Sequence, residues 1–285
     1  MIDTQFSDVP IEDVQSFWNS RPCNIRHSPK PVGTREYFDE VEARKYFVEP
    51  HIVTFADFKR WDHKRVLEIG CGIGTATISF ARAGADVTAI DLSPESVELT
   101  RKRAAVFGLA DRVHVSVGDA ERLNDFVPVE GYDLIWSFGV LHHTPHPERA
   151  LDGLRAYAKP GTTLKIMMYY SFSWKVLWAV VRYGRGRFWD WRRIIARNSE
   201  AQTGCPVTYT YTKKELARLL ERRGFHVTDI FVDHVFPYRI ADYVQYRYRK
   251  EWYFALMPRP LFRWFERTFG WHLCVTAVAG GSSPA

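Results

Sequence analysis

A short apolar run leads directly into three glycines at alternate positions, a pattern that can hold a nucleotide-like ligand. The run from Val66 to Ile69 is followed by Gly70, Gly72 and Gly74. Because glycine has no Cβ, the backbone of such a turn can approach a ligand closely. A strand that ends in this way places the turn at the carboxyl edge of a parallel sheet, where ligands bind in such folds.

A carboxylate follows at a distance suited to a nucleoside. Asp91 ends the next apolar run, about 20 residues after Gly70, which is the spacing of a carboxylate that binds ribose hydroxyls. The alternative is a nicotinamide-binding domain, whose G-x-G-x-x-G pattern requires a glycine where this chain has Thr75. The third glycine, Gly74, comes one place too early for that pattern.

The glycine run resembles the E-x-G-x-G-x-G motif of class I S-adenosylmethionine-dependent methyltransferases (the type 11/25-like, small-molecule group), with Glu68 and the three glycines at matching positions. Further segments resemble the same family in the same order, so that the resemblance covers residues 60 to 170. These segments are 115–120, 131–143 and 158–168, where Thr162 replaces the second glycine of a K-P-G-G turn.

The resemblance implies S-adenosyl-L-methionine as the cofactor and gives roles to matching positions. Glu68 would support the methionine end, Asp91 the ribose and Asp119 the adenine amino group. From position alone, Arg35 and Tyr37 are candidates to close over the methionine carboxylate. The expected cofactor-binding residues are Glu68, Gly70, Cys71, Gly72, Asp91, Leu92, Asp119, Ala120 and Phe138.

Two adjacent histidines follow the fourth predicted strand, where the family places residues that face the transferred methyl. A hydroxyl or protonated amine must lose a proton to accept a methyl group, and an imidazole suits that task at neutral pH. We therefore expect His142 or His143 to act as a base, the alternative being that one of them holds the loop or packs under the cofactor. With His146 they do not predict a metal site, because neighbouring loop histidines seldom meet at one ion.

The elements that must position these residues alternate as strand and helix, which predicts an α/β fold with a doubly wound parallel sheet. The resemblance implies a mostly parallel, seven-stranded Rossmann-like methyltransferase sheet with helical insertions. Predicted strands are 66–70, 87–91, 113–117, 132–137, 163–169, 225–236 and 272–279, and predicted helices include 74–82, 94–107 and 213–223. The division is N-terminal cap helices (1–60), a cofactor-binding core (61–170), a basic-aromatic helical insert (171–211) and the rest of the core (212–285) with a second insert at 237–270.

The two inserts carry the positive charge of the chain. Its net charge is +6. Segment 172–200 contains seven Lys or Arg and two acidic residues, and segment 239–267 contains seven Lys or Arg and three acidic residues. Both segments are dense in Trp, Tyr and Phe. They could form a plain helical cap, a surface for anionic lipid headgroups, or a pocket in which Arg binds an anionic acceptor. Nucleic acid is the least favoured partner.

The composition argues against a secreted protein held by disulfides and against a membrane-spanning protein. Four scattered cysteines, no secretory signal and no apolar run of about 18 residues favour a cytoplasmic protein without a transmembrane segment, with peripheral membrane contact left open. The predicted function is transfer of a methyl group to an oxygen or nitrogen of a small-molecule acceptor, including anionic or lipid-linked ones. The alternative is a binding protein of the same fold that acts through the basic-aromatic surface.

Overall fold

The computed structural model describes residues 5–198 and 205–280, so the predicted boundaries at residues 1 and 285 and part of the first insert lie outside the described residues. Within these residues, seven strands form one sheet in the order β3–β2–β1–β4–β5–β7–β6. The strands are β1 (Arg65–Ile69), β2 (Asp86–Asp91), β3 (Val113–Val117), β4 (Tyr132–Phe138), β5 (Ala158–Tyr169), β6 (Phe225–Asp233) and β7 (His272–Ala279).

Only β7 runs antiparallel to its neighbours, β5 and β6, and the other strand pairs are parallel within the described residues. This confirms the predicted doubly wound, mostly parallel sheet. The helices are α1 (Ile11–Ser20), α2 (Arg35–Val48), α3 (His51–Ala56), α4 (Thr75–Arg82), α5 (Pro94–Val106), α6 (Pro147–Leu154), α7 (Trp174–Tyr183), α8 (Trp191–Asn198), α9 (Lys213–Glu221), α10 (Ile240–Tyr243), α11 (Trp252–Ala255) and α12 (Arg259–Phe269).

Some predicted boundaries were wrong for identifiable reasons. The sixth strand ends at Asp233 instead of 236, because His234 has a left-handed φ of 71° that breaks the ladder. The first wound helix begins at Thr75 and not at Gly74, whose φ of 75° is not helical. The fifth strand begins at Ala158, ahead of the predicted 163, and α5 and α9 end one and two residues before their predicted ends at 107 and 223.

Helices cover both faces of the sheet, so successive strand residues enter two different cores. On one face Val66 and Trp136 share a buried cluster with Phe80 of α4. On the other face Leu67 and Ile135 share a cluster with the residues of α6 and α9. Each fully buried side chain of this size contributes about 1.5–3 kcal/mol of hydrophobic stabilisation, which holds the strand ends that carry the polar residues described below.

Further helices lie over the carboxyl edge of the sheet. In α3, the ring of Phe55 packs 5.4 Å from that of Trp136 at the end of β4. The two basic-aromatic inserts meet each other, because Trp174 of α7 packs 5.7 Å from Phe265 of α12. The carboxyl edge is therefore covered by helices from the beginning (α3), middle (α7) and end (α12) of the chain.

Candidate active site

A cavity of about 610 Å³ lies at the carboxyl edge of the sheet. It extends from Asp119 and Asp91, at the ends of β3 and β2, past Phe138 at the end of β4. It continues to Tyr169 at the end of β5 and His272 at the start of β7. This volume lies within the range of small-molecule sites, about 300–1,000 Å³. The predicted cofactor-binding residues that line it are Glu68, Gly70, Cys71, Gly72, Asp91, Leu92, Asp119, Ala120 and Phe138.

The glycine turn leaves the floor of this cavity open. A Cβ built on Gly72 would meet no atom within 4 Å, so a side chain there would project into the cavity. A Cβ on Gly70 would clash with the side chain of Val140, in the loop after β4. The turn therefore depends on glycine both for ligand space and for close approach of the two loops.

Asp91 is held by backbone N–H groups of the loops beside it. Its carboxylate oxygens accept hydrogen bonds from Gly72 N (2.8 Å) and Ser93 N (2.9 Å). Burial raises the pKa of this carboxyl, and the two N–H donors oppose the shift. Each oxygen keeps a second lone pair, so the carboxylate can also accept hydrogen bonds from a diol.

Glu68 lies at the end of β1 and is buried. Its carboxyl accepts a 2.6 Å hydrogen bond from the hydroxyl of Thr77 in α4. Burial raises the pKa of Glu68 to about 8, so the group holds a proton at neutral pH in the absence of a ligand. A cation bound in the cavity would favour the ionised form, because opposite charges stabilise each other strongly where water is excluded.

Asp119 follows β3 on the same side of the cavity. Its carboxylate accepts a hydrogen bond from Glu121 N (2.9 Å) and lies 3.8 Å from the guanidinium of Arg122. Burial raises the pKa of this carboxyl. Ala120, beside it, presents only a methyl group to the cavity, which leaves space for a flat ring.

Helix α1 is fastened over the β2 side of the cavity by side-chain hydrogen bonds. Gln15 donates to the carbonyl of Leu92 (2.9 Å). The side-chain oxygen of Asn19 accepts hydrogen bonds from the Ser93 hydroxyl (3.0 Å) and from Glu95 N (2.9 Å), and so caps α5. These bonds tie the N-terminal segment to the loop that carries Asp91.

The structure separates the two predicted catalytic histidines. His143 lines the cavity, and its Nδ1 lies 2.8 Å from the carbonyl of Val207, which makes Nδ1 the protonated nitrogen of the neutral ring. His142 is fully buried and does not line the cavity; its ring packs 3.8 Å from that of Tyr169. Neither ring nitrogen of His142 has a hydrogen-bond partner among the described residues, and burial holds its pKa well below the usual value.

The suggested closure by Arg35 and Tyr37 is wrong, because α2 turns these residues away from the cavity. Tyr37 is buried against α5 and donates its hydroxyl to the carbonyl of Ile25 (2.8 Å). Arg35 is exposed, and its guanidinium lies over the ring of Phe107. Neither residue lines the cavity.

The side of the cavity away from Asp91 and Asp119, which we call the acceptor side, contains groups that sequence reasoning missed. Lys45 of α2 and Glu49, the residue that follows this helix, form a 3.0 Å ion pair there. His234 and His272 also line this side, and His51 stands behind them. The available signal was positional, since His272 begins β7 and His234 follows β6, and both strand ends lie at the carboxyl edge. Burial lowers the pKa of His51 to about 4 and that of His234 to about 3.

The inserts contribute aromatic residues to the cavity but no arginine within the part of the chain that the structure describes. Trp174, Trp178, Tyr243 and Tyr253 line it, together with Lys175. The described residues contain no group of three His, Cys, Asp or Glu with the geometry of a metal site. The acceptor side is therefore aromatic, with imidazoles, two lysines and the carboxylates of Glu49 and Glu251 among its polar groups.

Comparisons with known proteins agree with this arrangement. Residues 41–230, more than half of the chain, match the family described as methyltransferase domain. A ubiquinone biosynthesis O-methyltransferase of Actinobacillus pleuropneumoniae serotype 5b is 35% identical over 102 residues, which is 35% of this chain and 44% of that protein. The chain thus spans less than half the length of the curated relatives it matches.

Solved structures share the fold at low sequence identity. Magnesium protoporphyrin IX methyltransferase from Synechocystis PCC 6803, with bound SAH, has a TM-score of 0.60 and 15% identity over 95% of this chain and 100% of that one. Geranyl diphosphate C-methyltransferase from Streptomyces coelicolor A3(2) has a TM-score of 0.58 and 16% identity, covering 94% of this chain and 97% of that one. These likenesses show the fold and leave the acceptor undetermined.

Proposed function

The chain belongs to the S-adenosylmethionine-dependent methyltransferase family, and on that premise we propose that it methylates a hydroxyl oxygen of a small, largely apolar acceptor. One observation carries the proposal. A single cavity joins the carboxylates suited to the cofactor with an aromatic acceptor side that no described arginine lines.

The residues on the β1–β3 side fit the cofactor. When bound, S-adenosylmethionine supplies an electrophilic methyl group on a sulfonium. Asp91 offers lone pairs for the ribose hydroxyls, Asp119 and Ala120 flank space for the adenine, and Glu68 lies where a cation would be stabilised. The open face of Gly72 leaves the room that such a ligand needs.

The acceptor side supports an uncharged aromatic acceptor. We define the acceptor chamber as the part of the cavity lined by Phe138, Tyr169, Trp174, Tyr243, Trp271 and His272. Flat apolar walls of this kind bind flat apolar molecules, and a few polar groups orient them. The relative named for ubiquinone biosynthesis is an O-methyltransferase, which supports a phenolic hydroxyl as the group that is methylated. An anionic acceptor held by arginine is not favoured.

The two predicted histidines have different roles in this proposal. His143 lines the cavity with Nδ1 held by Val207, so its side chain contacts bound molecules. His142 supports the loop from below, since its ring packs between His143 and Tyr169. Replacing His142 should therefore act through the position of His143.

The proposal is tested by binding and by transfer. Calorimetry should show binding of S-adenosylmethionine and S-adenosylhomocysteine but not of NADH. Tritiated methyl groups should pass from S-adenosylmethionine to phenols in a panel that also contains benzoates, amines and aliphatic alcohols. Transfer to benzoates alone would contradict the uncharged acceptor, and binding without any transfer would favour the binding-protein alternative.

A second candidate role, contact with an anionic lipid surface, rests on the exposed aromatic residues of the inserts. Trp189 is 74% exposed, Trp252 65% and Leu256 76%, and arginines lie near them in the chain. Among the described helices, none has the length and apolar character needed to cross a bilayer. Such a surface would let a lipid-linked acceptor reach the chamber from a membrane.

Vesicle sedimentation tests this second role. Vesicles that contain phosphatidylglycerol should retain the protein, whereas vesicles of phosphatidylcholine alone should retain much less. The double variant Trp189→Ser, Trp252→Ser should release it without changing the affinity for S-adenosylhomocysteine. Equal recovery in the supernatant with both vesicle types would contradict the role.

A further inference from the structure

Three imidazoles and a carboxylate meet at the edge of the acceptor chamber. His272 Nδ1 lies 2.9 Å from His51 Nε2 and 3.9 Å from Glu49 Oε2. The ring of His234 is 4.6 Å from that of His272. Glu49 follows α2, His51 begins α3, His234 follows β6 and His272 begins β7, so the sheet topology brings together positions far apart in the chain.

The 2.9 Å contact between two ring nitrogens requires one proton between them. Either His51 donates to His272 Nδ1, or His272 donates from Nδ1 to His51. Glu49 decides between these arrangements, because a carboxylate attracts an N–H and repels a lone pair. Its Oε1 is ion-paired with Lys45 at 3.0 Å, whereas its Oε2 is buried, has no hydrogen-bond partner among the described residues and lies 3.9 Å from His272 Nδ1. The proton therefore belongs on His272 Nδ1.

This tautomer leaves His272 Nε2 with its lone pair. The ring lines the chamber, and within the described residues Nε2 makes no hydrogen bond, so it is the nitrogen left for a bound molecule. Phe138, which closes the β4 side where the cofactor residues begin, has its ring 5.4 Å from that of His272. Only the ring of Phe138 thus separates His272 from the residues proposed to bind the cofactor.

The charged surroundings keep these rings neutral at neutral pH. Burial lowers the pKa of His272 well below its usual value, and the neighbouring imidazoles, Lys45 and Lys175 lower it further. Glu49, which follows α2, opposes the lowering of the pKa at His51, and Asp233, at the end of β6, opposes it at His51 and His234. A neutral ring is what a base requires before the reaction.

We propose that His272 Nε2 is the base that takes the proton of the acceptor hydroxyl, with Glu49 and His51 as positioning residues; this rests on the proposed O-methylation. The acceptor O–H bond breaks, the proton forms an N–H bond at Nε2, and the electron pair stays on oxygen for bonding to the methyl carbon. The sulfonium charge is lost as the imidazolium charge appears, so charge balances. Glu49 then faces a cation, which it stabilises.

His143 is less suited to this step. Its Nδ1–H is held by the neutral carbonyl of Val207, whereas Nδ1 of His272 lies 3.9 Å from the carboxylate oxygen Oε2 of Glu49. A proton on its Nε2 would therefore gain less stabilisation than one on His272. This difference makes the two histidines distinguishable by experiment.

The first test reads the tautomer directly and needs no acceptor. Long-range ¹H–¹⁵N spectra of the full chain should show His272 with a protonated Nδ1 and an unprotonated Nε2. Glu49→Gln should move the proton population toward Nε2, whereas Glu36→Gln, an exposed change on the same helix, should leave it unchanged. A wild-type His272 with its proton on Nε2 would overturn the proposal, and an unchanged tautomer in Glu49→Gln would overturn the role of Glu49.

The second test uses whichever phenol of the panel is methylated. His272→Gln should lower kcat by about 10²–10⁴-fold. The affinity for S-adenosylhomocysteine should stay within about twofold of the wild-type value, far less than the change in kcat. His226→Gln, an exposed change on β6, should leave kcat unchanged. Full kcat in His272→Gln would overturn the proposal. Absence of cofactor binding in the wild type would instead overturn the proposed function, and the tautomer result would still stand.

Discussion

Thr77 donates a 2.6 Å hydrogen bond to Glu68, and both side chains are buried between β1 and α4. This neutral donor cannot replace the water that the carboxylate loses on folding, so the pKa of Glu68 rises to about 8. The folded protein without cofactor therefore carries a proton that the unfolded chain releases near pH 4.5.

The consequence is a contribution of Glu68 to stability that falls as pH rises. Between pH 4.5 and about 8 this carboxyl is protonated to a greater extent in the folded state than in the unfolded state, so its contribution to the free energy of unfolding should decrease with pH, by up to about 1.4 kcal/mol per pH unit. Glu68→Gln should remove that slope, whereas the exposed Glu36→Gln should keep it. Urea unfolding of the cofactor-free protein at pH 6 and pH 8 measures it, and equal slopes in wild type and Glu68→Gln would contradict the buried-proton interpretation.

Asp91→Ala should weaken S-adenosylhomocysteine binding by about 10–100-fold, because hydrogen bonds to a charged group contribute about 1.5–3 kcal/mol. The change also removes the acceptor for Gly72 N and Ser93 N, so the glycine turn loses support. Asp86→Ala, at the exposed other end of β2, is the control. Calorimetry checks both variants, and unchanged affinity in Asp91→Ala would remove the assignment of the ribose site.

His51 and His234 should make the fold sensitive to acid. Burial places their folded pKa at about 4 and about 3, below the unfolded value of 6.5, so the unfolded chain binds more protons as pH falls below 6.5. The contribution of these two histidines to the free energy of unfolding should therefore decrease from pH 7 to pH 5, opposite in sign to the contribution of Glu68. His234→Asn should flatten this dependence because asparagine does not titrate. Asparagine also tolerates the left-handed backbone at φ 71°, so the variant should keep the local fold. Denaturant titrations at both pH values decide the matter, and identical pH dependence in the variant would refute the role of His234.

Asn19→Ala should loosen the cover that α1 forms over the cofactor side. The variant loses the acceptor for the Ser93 hydroxyl and Glu95 N, a capping interaction of about 1 kcal/mol. We expect a several-fold faster dissociation of S-adenosylhomocysteine, measured by stopped-flow competition. Glu12→Ala, an exposed change on the same helix, should keep the wild-type rate, and an unchanged rate in Asn19→Ala would show that α1 does not retain the ligand.

The sequence predicted the family, the sheet and the residues that surround one side of the cavity, because those signals are local. Glu68, Gly72 and Asp91 lie within 24 residues of chain; Glu68 and Asp91 lie in the last residues of recognisable strands, and Gly72 follows the first of them. Their contacts with the cofactor remain predictions.

The acceptor chamber could not be predicted in the same way. Glu49 and His272 are 3.9 Å apart, yet 223 positions separate them, and no short pattern links them. Their meeting depends on β7 entering the sheet between β5 and β6 in the antiparallel direction, and on the break in β6 at His234. That none of the described arginines of the inserts lines the cavity could not be predicted for a related reason: composition gives the charge of a helix but not the face that it turns toward the cavity.

Because β7 is inserted as the penultimate strand of the sheet, the two sides of the cavity are formed by different parts of the chain. The residues suited to the cofactor come from one continuous stretch, 68–138. Apart from Phe138, the residues that define the chamber follow that stretch, and Lys45 and Glu49 reach the same side of the cavity from the part of the chain before it. Substitutions near His51 or Trp271 can therefore alter which molecule is modified while the donor remains equally well held. The flanks are the natural place for an ancestral enzyme of this shape to acquire a new substrate, and for an engineer to retarget it.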